Sequence, residues 1–279
     1  MDRSSRHSKS LANGISPLVC PLSVDDRIIA GYARDIPLRL YRPLTDAPVP
    51  GVLYFHGGGF TSGSVDDAET AASFIARSVP ALVVSVGYSL APAYPFPAAI
   101  EDAYRAARWI RAAAGDLGVK GTGLGAAGHD AGGHVAASLT FIARDRGDVS
   151  IAAQALLGPM LDPSLTRAGD DQAMGSDVTV AACARCYRAY LPDPSSRLHP
   201  YAAPLESRRI GGLPPALIVT AQNDILRIEA EKYAAELIDA GVPTEVTRFS
   251  DSTHAGLAGH RQALLAVSDF FRRRLIPGA

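Results

Sequence analysis

The stretch that most constrains this chain runs from Gly123 to Leu139 and reads as a strand, a tight bend and a helix. Small residues crowd its middle, and an apolar, helix-forming run follows. Gly128 and Gly132 stand on either side of one central side chain, so the backbone can bend abruptly and thrust that side chain up at the strand's carboxyl end. The pattern G-x-S-x-G is met at Gly128, His129, Ala131 and Gly132, but Asp130 occupies its centre where serine would stand. The function of the chain turns on that carboxylate.

Composition narrows the remaining choices. With 279 residues, 47% of them hydrophobic and 20% charged, the chain can bury one large core. A formal net charge of -1 gives no electrostatic case for nucleic acid or an anionic membrane, so the expected partner is a small molecule. Met1 to Ser10 is polar, no apolar run reaches spanning length, and the expected location is the cytoplasm. Cys183 and Cys186 form a single C-x-x-C with no second ligand pair, which predicts neither a disulfide framework nor a zinc site. No metal and no cofactor is expected.

The pattern along the chain is rhythmic. Residues 1–25 read as a flexible arm with a short lead-in, and residues 26–279 as one domain. Alternating runs at 27–32 and 36–41 predict an antiparallel hairpin. Gly51 to Phe55 is a compact buried strand ending in His56-Gly57-Gly58-Gly59-Phe60, whose bare backbone can approach a ligand closely. Further strands are expected at 81–86, 122–128, 151–157, 216–220 and 244–249, with helices at 66–77, 98–114, 131–144, 229–240 and 260–274. Strands alternating with helices predict an α/β fold, a mostly parallel sheet covered on both faces, with ligands beyond the strands' carboxyl ends. Residues 160–214 break the rhythm and read as a lid-like insertion carrying a helix at 178–190.

Taken together, His56 to Phe60, Tyr88-Ser89-Leu90-Ala91-Pro92, Tyr94 to Ala99, the bend around Asp130, Asn223-Asp224-Ile225-Leu226-Arg227 and His254 resemble the hormone-sensitive-lipase family of α/β-hydrolases. The resemblance implies the α/β-hydrolase fold, with Asp224 orienting a basic His254. It also implies an oxyanion hole of the Gly58, Gly59 and Ala131 amides, and homodimers by family analogy. The chain departs from the family at Asp130, at His129 where many relatives carry an acid, at Ala93 where glutamate is usual, and at Ala255 where glycine is usual. The short amino-terminal segment implies a reduced cap.

Three functions are compatible with an aspartate in the attacking position. Asp130 can attack a saturated carbon and form an alkyl ester that His254-activated water then hydrolyses, which favours an epoxide or alkyl halide as substrate. Similarity to epoxide hydrolases and haloalkane dehalogenases is confined to the bend. Tyr88, Tyr94, Tyr187 and Tyr190 are the candidate pocket residues and acids for the leaving oxygen, although lining or packing against the pocket is the stronger reading of each. Alternatively, Asp130 helps His254 activate water in an ester hydrolase, or the chain is a silent, serine-replaced homologue that binds ligand, with Asp130 capping the following helix. His56 is expected to prop the glycine loop, and His129 and His134 to pack or face solvent, rather than to act on substrate.

Overall fold

The computed structural model describes residues 20–276 and 278, apart from Asp46, Gly121 and Thr122. Most of the expected flexible arm, residues 1–19, lies outside the described residues. The expected boundary at residue 25 is not a boundary, because the first strand, β1 (Leu22–Ala30), runs across it. This strand is exposed along most of its length and is held by antiparallel pairing with β2 (Asp35–Pro43).

The remaining strands are β3 (Gly51–Phe55), β4 (Leu82–Val86), β5 (Leu124–His129), β6 (Ile151–Leu157), β7 (Ala216–Asn223) and β8 (Thr244–Thr253). They form one eight-stranded sheet in the order β1-β2-β4-β3-β5-β6-β7-β8. The β1–β2 and β2–β4 pairs are antiparallel; every other pair is parallel.

Both faces of the sheet are covered, which is why its central strands read as unbroken apolar runs. Side chains alternate across a strand. Along β3, Leu53 and Phe55 enter the core formed with α2 (Ala98–Ala112), α3 (Ala131–Arg146) and α6 (Arg227–Asp239). Val52 and Tyr54 enter the opposite core, beneath α1 (Glu69–Ser78) and α7 (Arg261–Leu275). Helix α3 is buried on every side from Ala131 to Ala143, so its sequence shows almost no polar face.

The expected insertion holds a single-turn α4 (Asp171–Met174), α5 (Val180–Tyr190) and two short 3₁₀ turns. Asp170 and Thr179 cap its two helices by accepting bonds from backbone N–H groups. The segment is strapped to the sheet's carboxyl edge: the Gly169 amide donates to the Ile225 carbonyl at 3.0 Å, and the Ala255 amide donates to the Asp177 carboxylate at 3.1 Å. Both anchor points lie beside residues that the sequence singled out.

Candidate active site

The carboxyl ends of β3, β5, β7 and β8 deliver, in turn, the glycine loop 56–59, Asp130, Asp224 and His254. Because these strands run parallel, residues far apart in the chain meet along one edge. The bend after β5 is as tight as the sequence implied. Asp130 has φ 56° and ψ −122°, a conformation that costs a side-chain-bearing residue about 1–3 kcal/mol. A β-carbon on Gly128 would collide with the backbone of Gly132, so a larger residue there would open the turn.

The strained bend points the Asp130 side chain away from its own helix. Among the described residues it accepts no capping bond from α3, which corrects the reading of Asp130 as an N-cap. Its Oδ2 instead accepts hydrogen bonds from the amides of Gly58 at 2.9 Å and Gly59 at 2.8 Å. The expected oxyanion donors therefore converge on one point, and that point is filled by the protein's own carboxylate. Gly59 is held there at φ 58°, and the space where its β-carbon would lie is taken by the Cys186 sulfur of α5. The Ala131 amide, the third expected donor, makes no bond to the carboxylate among the described residues.

The other carboxylate oxygen, Oδ1, faces His254 Nε2 at 3.5 Å. That separation is an ion contact rather than a hydrogen bond. On the far side of the ring, Nδ1 donates to Asp224 Oδ2 at 2.9 Å. All three side chains are buried. Burial alone would lower the basicity of His254, but Asp130 and Asp224 outweigh it and raise its pKa to about 10. Burial likewise pushes the Asp130 pKa up, but the adjoining His254 and its charge, with His129 and the Gly59 amide, drive it well below the usual carboxylate range. The resting site is thus a carboxylate–imidazolium pair.

Relatives share this arrangement of elements. The sequence profile of the alpha/beta hydrolase fold matches residues 52–258. The chain belongs to the α/β-hydrolases, of the hormone-sensitive-lipase-like esterase type. This α/β-hydrolase is 37% identical over 270 residues to Esterase LipI of Mycobacterium tuberculosis (strain ATCC 25618 / H37Rv), covering 93% of this chain and 82% of that protein. It is 31% identical to an arylesterase of Saccharolobus solfataricus, covering 81% and 74% of the two chains. Among solved structures, the metagenomic carboxylesterase EstE1 superposes with a TM-score of 0.88 at 33% identity, covering 92% of this chain and 91% of the other. The hyperthermophilic esterase of Pyrobaculum calidifontis superposes with a TM-score of 0.85 at 34% identity, covering 91% and 84%. The α/β-hydrolase is accordingly an esterase-like hydrolase, and these likenesses weigh against an epoxide or alkyl halide as its principal substrate. No helix among the described residues is long and apolar enough to cross a membrane.

The candidate tyrosines divide. Tyr88 donates its hydroxyl to the His56 carbonyl at 2.8 Å and stacks on the His56 ring at 4.3 Å, so it braces the glycine loop of this hydrolase and its proton is already committed. Tyr190 stacks on Phe60 at 4.0 Å, and Tyr187 tilts against the same ring at 5.7 Å. Both hydroxyls are buried and have no partner among the described residues. Tyr94 is half-buried beneath Arg34. None of the four contacts Asp130 by a hydrogen bond among the described residues.

Three contributors were not legible beforehand. His129 Nε2 lies 2.9 Å from the His254 carbonyl. The loop after β6 threads between the key side chains, with the Met160 amide donating to the Asp130 carbonyl at 3.2 Å and Gly158 lying against Asp224 and His254. Glu229 of α6 anchors that loop, accepting from the Leu161 amide at 2.6 Å. Only His129 carried a sequence signal, its place beside Asp130. His134, expected to pack or face solvent, is fully buried with its two nitrogens against the Met160 and Tyr201 carbonyls.

Proposed function

We propose that this α/β-hydrolase cleaves a small carboxylic ester by direct attack of water. Asp130 helps His254 to activate that water, and the Gly58 and Gly59 amides receive the oxyanion. The observation that carries the reading is the convergence of two amides on one anionic oxygen, beside an imidazole oriented by Asp224. A hole that accommodates a carboxylate oxygen has the polarity and spacing that the oxygen of a tetrahedral intermediate needs. The named esterases among the relatives support the same reaction class.

For turnover, the ester carbonyl takes the position of Asp130 Oδ2. Stripped of its two amide donors, the carboxylate gains proton affinity and draws on the proton of His254. The imidazole is then neutral, and Nε2 accepts a proton from water as the water oxygen attacks the acyl carbon. Charge collects between Gly58 and Gly59. Collapse expels the alcohol, which takes its proton from His254, and the acid product remains. Attack by Asp130 itself on the acyl carbon would give a mixed anhydride, which reverts as readily as it hydrolyses.

Turnover of p-nitrophenyl acetate by two variants tests this. Asp130→Ala is expected to keep ester hydrolysis within about tenfold of the parent, while His254→Ala loses about 10²–10⁴-fold. Loss of all turnover in Asp130→Ala, with the fold intact, would contradict water attack.

One observation favours a second reading. Oδ1 is free of the amides and faces His254, while Oδ2 already sits where the carbonyl of an alkylated Asp130 would sit. Attack by Oδ1 on the saturated carbon of an epoxide would break that carbon's bond to the ring oxygen, the departing alkoxide would take the proton of His254, and the imidazole, left neutral beside an uncharged ester, could activate water. A single turnover in ¹⁸O-labelled water distinguishes the two: label in the Asp130 carboxylate supports alkyl attack, and label in the product acid alone supports ester hydrolysis. A protein that turns over neither class yet is thermally stabilised by ligand is the silent homologue.

A further inference from the structure

The His129 side chain joins two loops of the site. The residue is the last of β5 and is buried. Its Nε2 lies 2.9 Å from the His254 carbonyl, which can only accept, so this nitrogen carries the hydrogen. The two imidazoles lie 4.8 Å apart, inclined at 40°. Its Nδ1 edge fills the space beside Gly57, where a β-carbon would come within 2.8 Å. One side chain thus meets the loop bearing the oxyanion donors and the loop bearing the imidazole, and its own backbone continues into Asp130.

We infer that His129 is a positioning residue for His254, and that a neutral hydrogen-bond donor at 129 is the matched partner of a carboxylate at 130. Among the described residues the His254 carbonyl otherwise accepts only the Leu257 amide at 3.2 Å, a bond within its own turn, so the His129 N–H is the bond that ties this carbonyl to the centre of the sheet. Holding the carbonyl sets where the ring stands between Asp130 and Asp224. The neutrality matters as much as the bond. The site already holds two carboxylates, Asp130 and Asp224, against one imidazolium. An acid at 129 would add a third buried negative charge next to Asp130 and would offer the His254 carbonyl no donor. Burial, with the cation of His254, keeps His129 neutral by lowering its pKa to about 4. The inference holds whichever reaction Asp130 serves.

The test needs no substrate. His129→Gln, which keeps a neutral donor, His129→Leu, which removes it, and His129→Glu, which adds charge, are each made with Asp130 present and in combination with Asp130→Ser. The readouts are the His254 imidazole titration by ¹H–¹⁵N NMR and the Tm. With Asp130 present, the Gln variant is expected to leave the His254 titration in place, and the Leu variant to move it downward. The Glu variant is expected to lower the Tm by several degrees more with Asp130 than with Asp130→Ser, or to fold only in the latter combination. A Leu variant with the parent's His254 titration would overturn the positioning role. An equal penalty from Glu in both backgrounds, including failure to fold in both, would overturn the pairing.

Discussion

His254 Nε2 faces Asp130 Oδ1 at 3.5 Å while the partner oxygen of the same carboxylate is held by two backbone amides. One side chain therefore occupies both the bend where the resemblance expects a nucleophile and the point on which two of the expected oxyanion donors converge. The attraction between the two residues makes the resting site ionic and fixes how it responds to pH.

The His254 imidazole gains proton affinity on folding, from an ordinary 6.5 to about 10. Its contribution to stability is fully present below about 6.5 and is lost as pH rises through about 10. The depressed pKa of Asp130 acts at the other end: its share is present above the ordinary 3.8 and is lost as pH falls through the folded value. His129 and His134, lowered to about 4, also lose stabilisation as pH falls from 6.5 through that value. Denaturant unfolding between pH 6.5 and 10 is expected to show stability falling by a few kcal/mol, with Asp130→Asn flattening that fall.

Asp224→Asn keeps the size of the side chain but removes the charge that orients Nδ1 of His254. Ester turnover is expected to drop by about 10²–10⁴-fold with a smaller change in KM. Steady-state kinetics on short acyl esters would measure it.

Gly59→Ala combines a left-handed backbone with a collision against the Cys186 sulfur. The expected cost is about 1–3 kcal/mol, or roughly 2–4 °C in Tm for each kcal/mol. Adding Cys186→Ala should recover part of the loss, because it clears the collision and leaves the backbone conformation. Thermal melts of the single and double variants separate the two contributions.

Glu229 is buried, and burial raises its carboxyl pKa well above the ordinary 4.5. Its stabilisation is present below 4.5 and is lost as pH rises from there through the folded value, so Glu229→Gln is expected to gain on the parent protein in Tm as pH rises above 4.5. Glu229→Ala leaves the Leu161 amide unpartnered and should cost about 1–3 kcal/mol below pH 4.5, where the parent carboxyl is protonated.

The fold was legible because the central strands are buried on both faces and leave unbroken apolar runs such as Gly51 to Phe55. The expected strand at 151–157 coincides with β6, and the insertion helix differs from α5 by two residues at its start. The start of β1 was not legible: Ser23, Asp25 and Asp26 lie exposed at the sheet's edge, and only pairing with β2 makes them strand. In the site, Asp130, Asp224 and His254 could be read from their order in the chain. The direction in which Asp130 points could not, since a carboxylate at a strand-to-helix bend serves equally as a helix cap and only the distance to Gly58 and Gly59 separates the two. The bond from His129 to the His254 carbonyl joins residues 125 apart in sequence through a backbone atom, which leaves no trace in side-chain pattern.

On the function proposed above, an ester-hydrolysing frame surrounds a carboxylate lodged in its own oxyanion hole. The most direct test is hydrolysis of p-nitrophenyl acetate by Asp130→Ser, which vacates the hole and places a hydroxyl beside His254. The expected result is a gain of at least about 10²-fold over the parent, the scale of one oxyanion donor, and one-to-one labelling of the serine at 130 by an organophosphonate. A variant with the parent's fold and Tm that shows neither gain nor labelling would contradict that reading.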